Sequence, residues 1–288
     1  MSGASVSEPR AEGRDAERKE LSMSVSPQTA AAEPLVLRAV DGGVATLTLN
    51  RPKQFNAISV AMLTVLQSEL DRIAADPAVR VVVIAGAGTA FSGGHDLKEM
   101  MANRSEAFIG DLFERCSRAM MTMRSLPQPV IARVHGIATA AGCQIVAACD
   151  LAVASTEARF ATSGVNYGLF CATPGVPVSR NVSMKRSFEM LFTGEFIDAD
   201  TARAWGLVNR VVAPSELDAE VARVAGAIAE KPRAVVAAGK ALFYKQLEEP
   251  IARAYVDAGK AITANMLGAD AAEGVGAFIA KRKPRWES

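Results

Sequence analysis

Twice in this chain a β-branched run is followed by a glycine-rich turn that opens a helical pattern, and few architectures accept that order of elements. The runs are Val81 to Ile84 and Val130 to Val134. The turns are Phe91-Ser92-Gly93-Gly94-His95-Asp96-Leu97-Lys98-Glu99-Met100 and His135-Gly136-Ile137-Ala138-Thr139-Ala140-Ala141-Gly142-Cys143-Gln144. A turn that delivers the chain into a helix leaves the first N–H groups of that helix without intrahelical partners, with the positive end of the helix dipole behind them. Two such ends aimed at one point would form an oxyanion hole. The side chain one turn into the second helix is Gln144, an amide and not an acid.

The flanking pattern extends this α/β reading. Val44 to Leu49 alternates apolar residues with Thr as a strand does, and Asn50-Arg51-Pro52 stops it. Ser59 caps a helical pattern with Met62, Leu63, Leu66, Leu70 and Ile73 on one face. Val79 to Ala85 reads as a buried strand, Phe108 to about Arg124 as a helix, and Ala148 to Ala154 and Ala158 to Ala161 as further strands. The unit strand, strand, helix recurs without strict repetition, which implies a curled α/β fold with ligands near strand-to-helix junctions. After Val212 the texture becomes helical over Glu216 to Ala229, Pro232 to Leu247 and Pro250 to Leu267, a layer suited to covering the core or meeting other subunits. The organisation read from this is a disordered tail over residues 1–33, a core over 34–212 and a helical region over 213–288.

Composition narrows the function classes. A formal net charge of +1 on 288 residues gives no electrostatic reason to expect nucleic acid or an anionic membrane as partner. No apolar run reaches about 18 residues, so no membrane span is expected. Cys116, Cys143, Cys149 and Cys171 lack paired spacing and sit among small apolar residues, which reads as reduced core thiols in a cytoplasmic protein. With His95 and His135 the only histidines, no metal site is expected. In the tail, Arg10, Arg14 and Arg18 are spaced as in a transit peptide, but Glu8, Glu12, Asp15, Glu17 and Glu20 are interleaved, and a solvated tail is the reading adopted.

From about Leu35 to Trp286 the chain resembles the enoyl-CoA hydratase/isomerase family, the crotonase superfamily. The resemblance is carried by Leu49-Asn50-Arg51-Pro52 with Asn56-Ala57, the two glycine-rich turns, Cys149-Asp150, Pro174-Gly175, Leu191-Phe192-Thr193-Gly194, Ala204-Trp205-Gly206-Leu207-Val208 and Phe278 to Lys283, whose order and spacing together are highly specific. It implies a ClpP-like spiral of ββα units with a C-terminal helical trimerisation region, a homotrimer or hexamer, and acyl-CoA thioesters as substrate with no further cofactor. It also implies oxyanion donors at the backbone N–H of His95 and Ala141, a thioester lined by His95, Asp96, Leu97 and Lys98, a nucleotide met by residues near Lys53 to Asn56, and phosphates neutralised by Lys281 with Arg282 and Lys283. A solvated basic tail is the alternative for those last three. Family hydratases place one glutamate at the position of Gln144 and another at that of Gly164, and this chain has neither.

Hydration of an enoyl thioester needs a water deprotonated and a proton delivered at the α-carbon, work suited to carboxylates. Gln144 can orient water but does not titrate, and Gly164 offers no side chain. The expectation is therefore an acyl-CoA-binding protein of hydratase/isomerase type in which hydration is severely weakened. A decarboxylase or thioester hydrolase using the hole, and a non-catalytic acyl-CoA binder, are the alternatives. For His95 two readings stand: only its backbone matters, or its ring also faces the acyl group. Cys171 is read as filler of a small pocket ahead of a nucleophile, since no activating partner can be named.

Overall fold

The computed structural model describes residues 33–286, so most of the tail assigned to residues 1–33 lies outside the described residues. Its elements in order are β1 Val36–Asp41, β2 Val44–Leu49, α1 Val60–Ala75, β3 Val81–Gly86, β4 Ala90–Ser92, α2 Leu97–Ala102, α3 Glu106–Ser125, β5 Val130–Val134, β6 Ile137–Thr139, α4 Ala141–Ala148, β7 Leu151–Ser155, β8 Arg159–Ala161, α5 Ala172–Asn181, α6 Met184–Thr193, β9 Ile197–Asp198, α7 Ala199–Trp205 and β10 Arg210–Val212. Four helices close the chain: α8 Leu217–Ala229, α9 Arg233–Gln246, α10 Ile251–Met266 and α11 Ala269–Ile279.

The strands form two sheets. One has the order β1-β2-β3-β5-β7-β10 and the other β4-β6-β8-β9. β3, β5 and β7 each hand the chain to a short strand of the second sheet before a helix follows, so each turn of the spiral contributes to both sheets. Neighbours run parallel except β1 with β2 and β8 with β9. The ββα spiral expected from the resemblance is the observed architecture. It differs locally: Ala148 ends α4 and does not start a strand, and a three-residue strand, β4 or β6, occupies the first part of each glycine-rich turn.

Helix starts follow the capping chemistry. Ser59 accepts the Met62 N–H at 3.1 Å to open α1, and Ser105 accepts that of Phe108 to open α3. Apart from Gln144, α4 is apolar all round, and Ala141 through Ala147 are buried, as expected for a helix enclosed by other elements. α8 lays Leu217, Val221 and Ala225 on Val81, Val83, Ile131 and Val153, covering one face of the six-stranded sheet. α9 is tied to the core by a polar anchor. Lys240 donates to Asp150 at 2.6 Å and to the carbonyls of Met123 and Gln128, and Tyr244 donates to the other Asp150 oxygen at 2.6 Å. No described helix is long and apolar enough to cross a membrane.

Candidate active site

The first glycine-rich turn is pinned from behind by Asn56. This side chain is fully buried; its amide nitrogen donates to the carbonyls of Ala87, Ala90 and Phe91, and its oxygen accepts the Arg51 N–H at 2.9 Å. The expectation that Asn56 meets the nucleotide is corrected by this: its polar atoms are spent inside the fold, and Lys53 is the exposed cation of that segment. Ser92 donates to the Asn56 carbonyl at 3.0 Å, and Gly93 N–H donates to Phe55 at 2.8 Å. Ile58 bridges His95 in parallel fashion, receiving the Asp96 N–H and donating to the Gly94 carbonyl. That pattern turns the His95 N–H away from Ile58, toward the other side of the segment.

The second turn supplies the other amide. Ala140 holds φ 49° and ψ −117°, a backbone region that disfavours any side chain, while its own N–H donates to Ala161 at 3.0 Å. The Ala141 N–H then stands at the first position of α4, where a helix offers no internal acceptor. Gly94 joins the two turns. It has φ 95°, and a Cβ built on it would lie 2.9 Å from the Ala140 Cβ and 3.4 Å from the Ala141 nitrogen. Gly142 meets the first turn as closely, since a Cβ there would be 2.3 Å from the Ser92 carbonyl oxygen. Both approaches require glycine, and they set the main chain of His95 against the N-terminus of α4.

The side chains around these amides are mostly uncharged. Asp96 is committed twice, accepting the N–H groups of Lys98 and Glu99 as the cap of α2 and pairing with Arg51 at 2.9 Å. Against the opposing pull of desolvation, these contacts hold its carboxyl below the usual range. Leu97 and Lys98 are exposed. Gln144 is buried and accepts a long 3.8 Å hydrogen bond from the Cys116 thiol of α3. One turn earlier on α3, Phe113 meets the His95 ring edge-on, with centroids 5.1 Å apart. The His95 Nδ1 lies 3.4 Å from the Ile58 carbonyl oxygen, whereas its Nε2 is buried with no partner among the described residues. Desolvation lowers the pKa of this imidazole, opposed by the Ile58 contact.

Gly164 lies in a 3-10 turn, Ser163–Tyr167, with its N–H directed at the Cys171 sulfur at 3.3 Å. A Cβ there would come within 2.5 Å of the Leu169 carbonyl oxygen and 2.7 Å of that sulfur. Burial pushes the thiols of Cys116 and Cys143 up to about 12 and raises Cys149 and Cys171 as well, so none is an activated nucleophile. Among the described residues no group of three or more metal-ligating side chains occurs. Asn166 donates to Gly194, and His135 lies 2.8 Å from the Gly88 carbonyl. Lys281 is elsewhere, following α11, and makes no hydrogen bond or ion pair to either turn. Arg282 beside it is engaged by Glu273.

Sequence reasoning missed Ala140, because its positive φ is imposed by packing and alanine gives no local sign of it. It also missed Phe113 and Cys116 as a wall of the site, although their three-residue spacing on α3 puts them on one helix face.

A two-sheet ββα spiral with two main-chain turns meeting at a buried helix defines the crotonase class of α/β protein. Residues 39–288 match the enoyl-CoA hydratase/isomerase family, and the chain belongs to it. It is 47% identical over 253 residues to the human enoyl-CoA hydratase domain-containing protein 3, mitochondrial, covering 88% of this chain and 83% of that protein. Among solved structures it resembles an enoyl-CoA hydratase of Mycobacterium smegmatis, with 57% identity, TM-score 0.87, and coverage of 89% of this chain and 100% of that one. It also resembles the solved human domain-containing protein 3, with 45% identity, TM-score 0.86, and coverage of 88% of this chain and 100% of that one. These relatives overturn the cytoplasmic expectation, because the human, mouse and rat proteins are named mitochondrial. Reduced, buried thiols and interleaved acids in a tail are no guide to compartment.

Proposed function

We propose that this chain binds acyl-CoA thioesters, holds the thioester carbonyl oxygen between the backbone N–H groups of His95 and Ala141, and stabilises an enolate there without a carboxylate pair. The observation that carries the reading is the close approach of Gly94 to Ala140 and Ala141, which brings the His95 main chain against the first amide of α4. A carbonyl that gains negative charge at such a point is stabilised by donors already in place. Loss of one oxyanion donor costs about 3–4 kcal/mol in well-studied enzymes. Lys53, exposed, and Lys281 are the cations proposed to meet the CoA nucleotide and its phosphates, Lys281 across a subunit boundary, with Lys98 proposed to line the thioester.

The two positions where family hydratases carry glutamate support a departure from efficient hydration. Gln144 is buried beside a thiol, and position 164 has no room for a side chain until Leu169 and Cys171 move. Each absent acid–base group is expected to cost about 10²-fold or more in hydration rate. Loss of CO₂ from a malonyl-type thioester generates the enolate by itself and asks only for the hole and a hold on the carboxylate. The enclosed position 164 favours that second reading over hydration.

The test is thermal denaturation of the purified protein with CoA, acetyl-CoA, malonyl-CoA and crotonyl-CoA, with mass analysis of each mixture. A ligand that binds only the folded state raises its stability according to its affinity. Stabilisation by thioesters with turnover of malonyl-CoA would identify the decarboxylating reading; hydration of crotonyl-CoA at ordinary family rates would overturn the account of the two positions. No stabilisation by any thioester would overturn the CoA assignment. Gln144→Glu is expected to raise crotonyl-CoA hydration by about 10²-fold while lowering stability, since a buried carboxyl is costly.

A further inference from the structure

We propose that the cleft between α1 and α3 is a second ligand site, one that takes a small phosphate monoester whose carrier bears hydroxyl groups. Neither glycine-rich turn lines this cleft, so the proposal stands apart from the CoA reading.

The cleft has a volume of about 530 Å³, within the range of small-molecule pockets. Leu63, buried on α1, is its apolar part. α1 also supplies Ser68, Asp71 and Arg72 to the lining, and α3 supplies Arg115 and Arg118. Side-chain bonds run between the two helices and hold the walls in place. The Gln67 amide nitrogen donates to Thr122 at 2.9 Å and to Asp71 at 2.8 Å, and Arg115 donates to Thr64 at 3.4 Å. Arg115 and Arg118 lie one turn apart on α3, on the face opposite Phe113 and Cys116.

Each guanidinium spends only part of itself on the fold. Arg115 pairs through Nε with Asp111 at 2.7 Å, and Arg118 through Nη2 with Glu114 at 3.0 Å. Both are exposed pairs within one helix, a kind that contributes little, and each can be exchanged for the stronger bidentate contact of a guanidinium with phosphate. Arg72 keeps its pair with Glu69, which Arg38 also meets. Nη2 of Arg115, Nε and Nη1 of Arg118, Nε and Nη2 of Arg72 and the Ser68 hydroxyl bond to no described residue. Donors therefore outnumber acceptors, and the ligand that complements them is rich in acceptor oxygens. A phosphate monoester carries about two negative charges at pH 7, one for each exchangeable arginine. Asp71 adds a requirement. Its Oδ1 takes the Gln67 amide, and its Oδ2 accepts from no described residue. A bare anion is repelled there, whereas a hydroxyl on the carrier donates to it.

The experiment measures dissociation constants by calorimetry for inorganic phosphate, succinate, ribose 5-phosphate and AMP, with the native chain, Arg115→Gln, Arg118→Gln and Asp71→Asn. The native protein is expected to bind the two esters about tenfold or more tightly than inorganic phosphate or succinate. Each arginine variant should weaken ester binding by about tenfold or more, the loss of a charge-assisted contact. Asp71→Asn should bring inorganic phosphate and ribose 5-phosphate closer in affinity, a change that a merely structural Asp71 would not produce. Tighter binding of AMP than of ribose 5-phosphate would identify the ligand as a nucleotide, and equal binding as a sugar phosphate. Failure of both esters to bind at millimolar concentration, or ester binding that both arginine variants retain in full, would overturn the site. Inorganic phosphate bound as tightly as either ester would overturn the hydroxylated carrier. None of these outcomes bears on whether thioesters bind at the two turns.

Discussion

Ala140 is a residue whose side chain works against its backbone. At φ 49° and ψ −117° its Cβ is crowded, yet the position is held by the Ala161 carbonyl and by Gly94 pressed against it. Replacing alanine by glycine in a helix usually costs about 0.5–1 kcal/mol. Here the sign should reverse: Ala140→Gly relieves strain worth about 1–3 kcal/mol, so denaturant titration is expected to show equal or higher stability, and a loss of 1 kcal/mol or more would show that no strain is stored. Gly94→Ala should do the opposite. With φ 95° and a Cβ 2.9 Å from that of Ala140, it is expected to cost about 1–3 kcal/mol and to weaken thioester binding by displacing the His95 amide. Caps are legible at this scale, since Ser59 and Asp96 announce themselves by type and position. Ala140, and the filled space at Gly164, are not: the first is set by Gly94 and Ala161, distant in sequence, and the second by the way the loop through Leu169 and Cys171 folds back on it.

The elements read from hydrophobic periodicity are those with a buried face. β2, β5, α1 and α3 stand within a few residues of their expected bounds because their apolar spacing is dictated by the core. β1 escaped because only Val36 among its six residues is buried, so an edge strand of this kind shows no alternation. β4, β6 and β9 are two or three residues long, too short for any period to register. α8, α9 and α10 were legible as helices, whereas α11 was not, nor was what fastens α9. That is Asp150, which takes the Val130 N–H, Lys240 and Tyr244 together. Removing one partner of a buried ion pair leaves an uncompensated charge and costs about 3–5 kcal/mol. Lys240→Ala is accordingly predicted to lower stability by that amount, and urea unfolding would read it directly; a loss below 1 kcal/mol would mean that α9 is held by its apolar contacts alone.

At the scale of the whole molecule, the chain end closes back on the body. Trp286 lies against Gly274 and donates to the Glu230 carbonyl, while Glu273 binds Arg282 through both oxygens and takes the Arg285 N–H. These bonds hold the Glu273 carboxyl down to about 2, against 4.5 for an ordinary glutamate. Because the folded value is depressed, the contact contributes fully above pH 4.5 and is lost as the pH falls toward 2. Tryptophan emission should report it. With Trp205→Phe leaving Trp286 as the single indole, the spectrum is expected to shift red over that interval, and Glu273→Gln should show the shifted spectrum already at neutral pH. Exposed apolar side chains on the last helices, among them Ile251, Tyr255, Ile262 and Phe278, favour the proposed trimer or hexamer. Light scattering at micromolar concentration is expected to give three or six times the chain mass; a monomer would leave those faces without a role.

The meeting of Gly94 with the start of α4 has a bearing on how such a scaffold changes over generations. Its two free amides belong to the main chain and are placed by glycine contacts, so exchanging the side chains at 95, 144 or 164 need not move them. If the amides hold the thioester carbonyl as proposed, a lineage built this way can discard one set of reactive groups and acquire another while that half of the site persists.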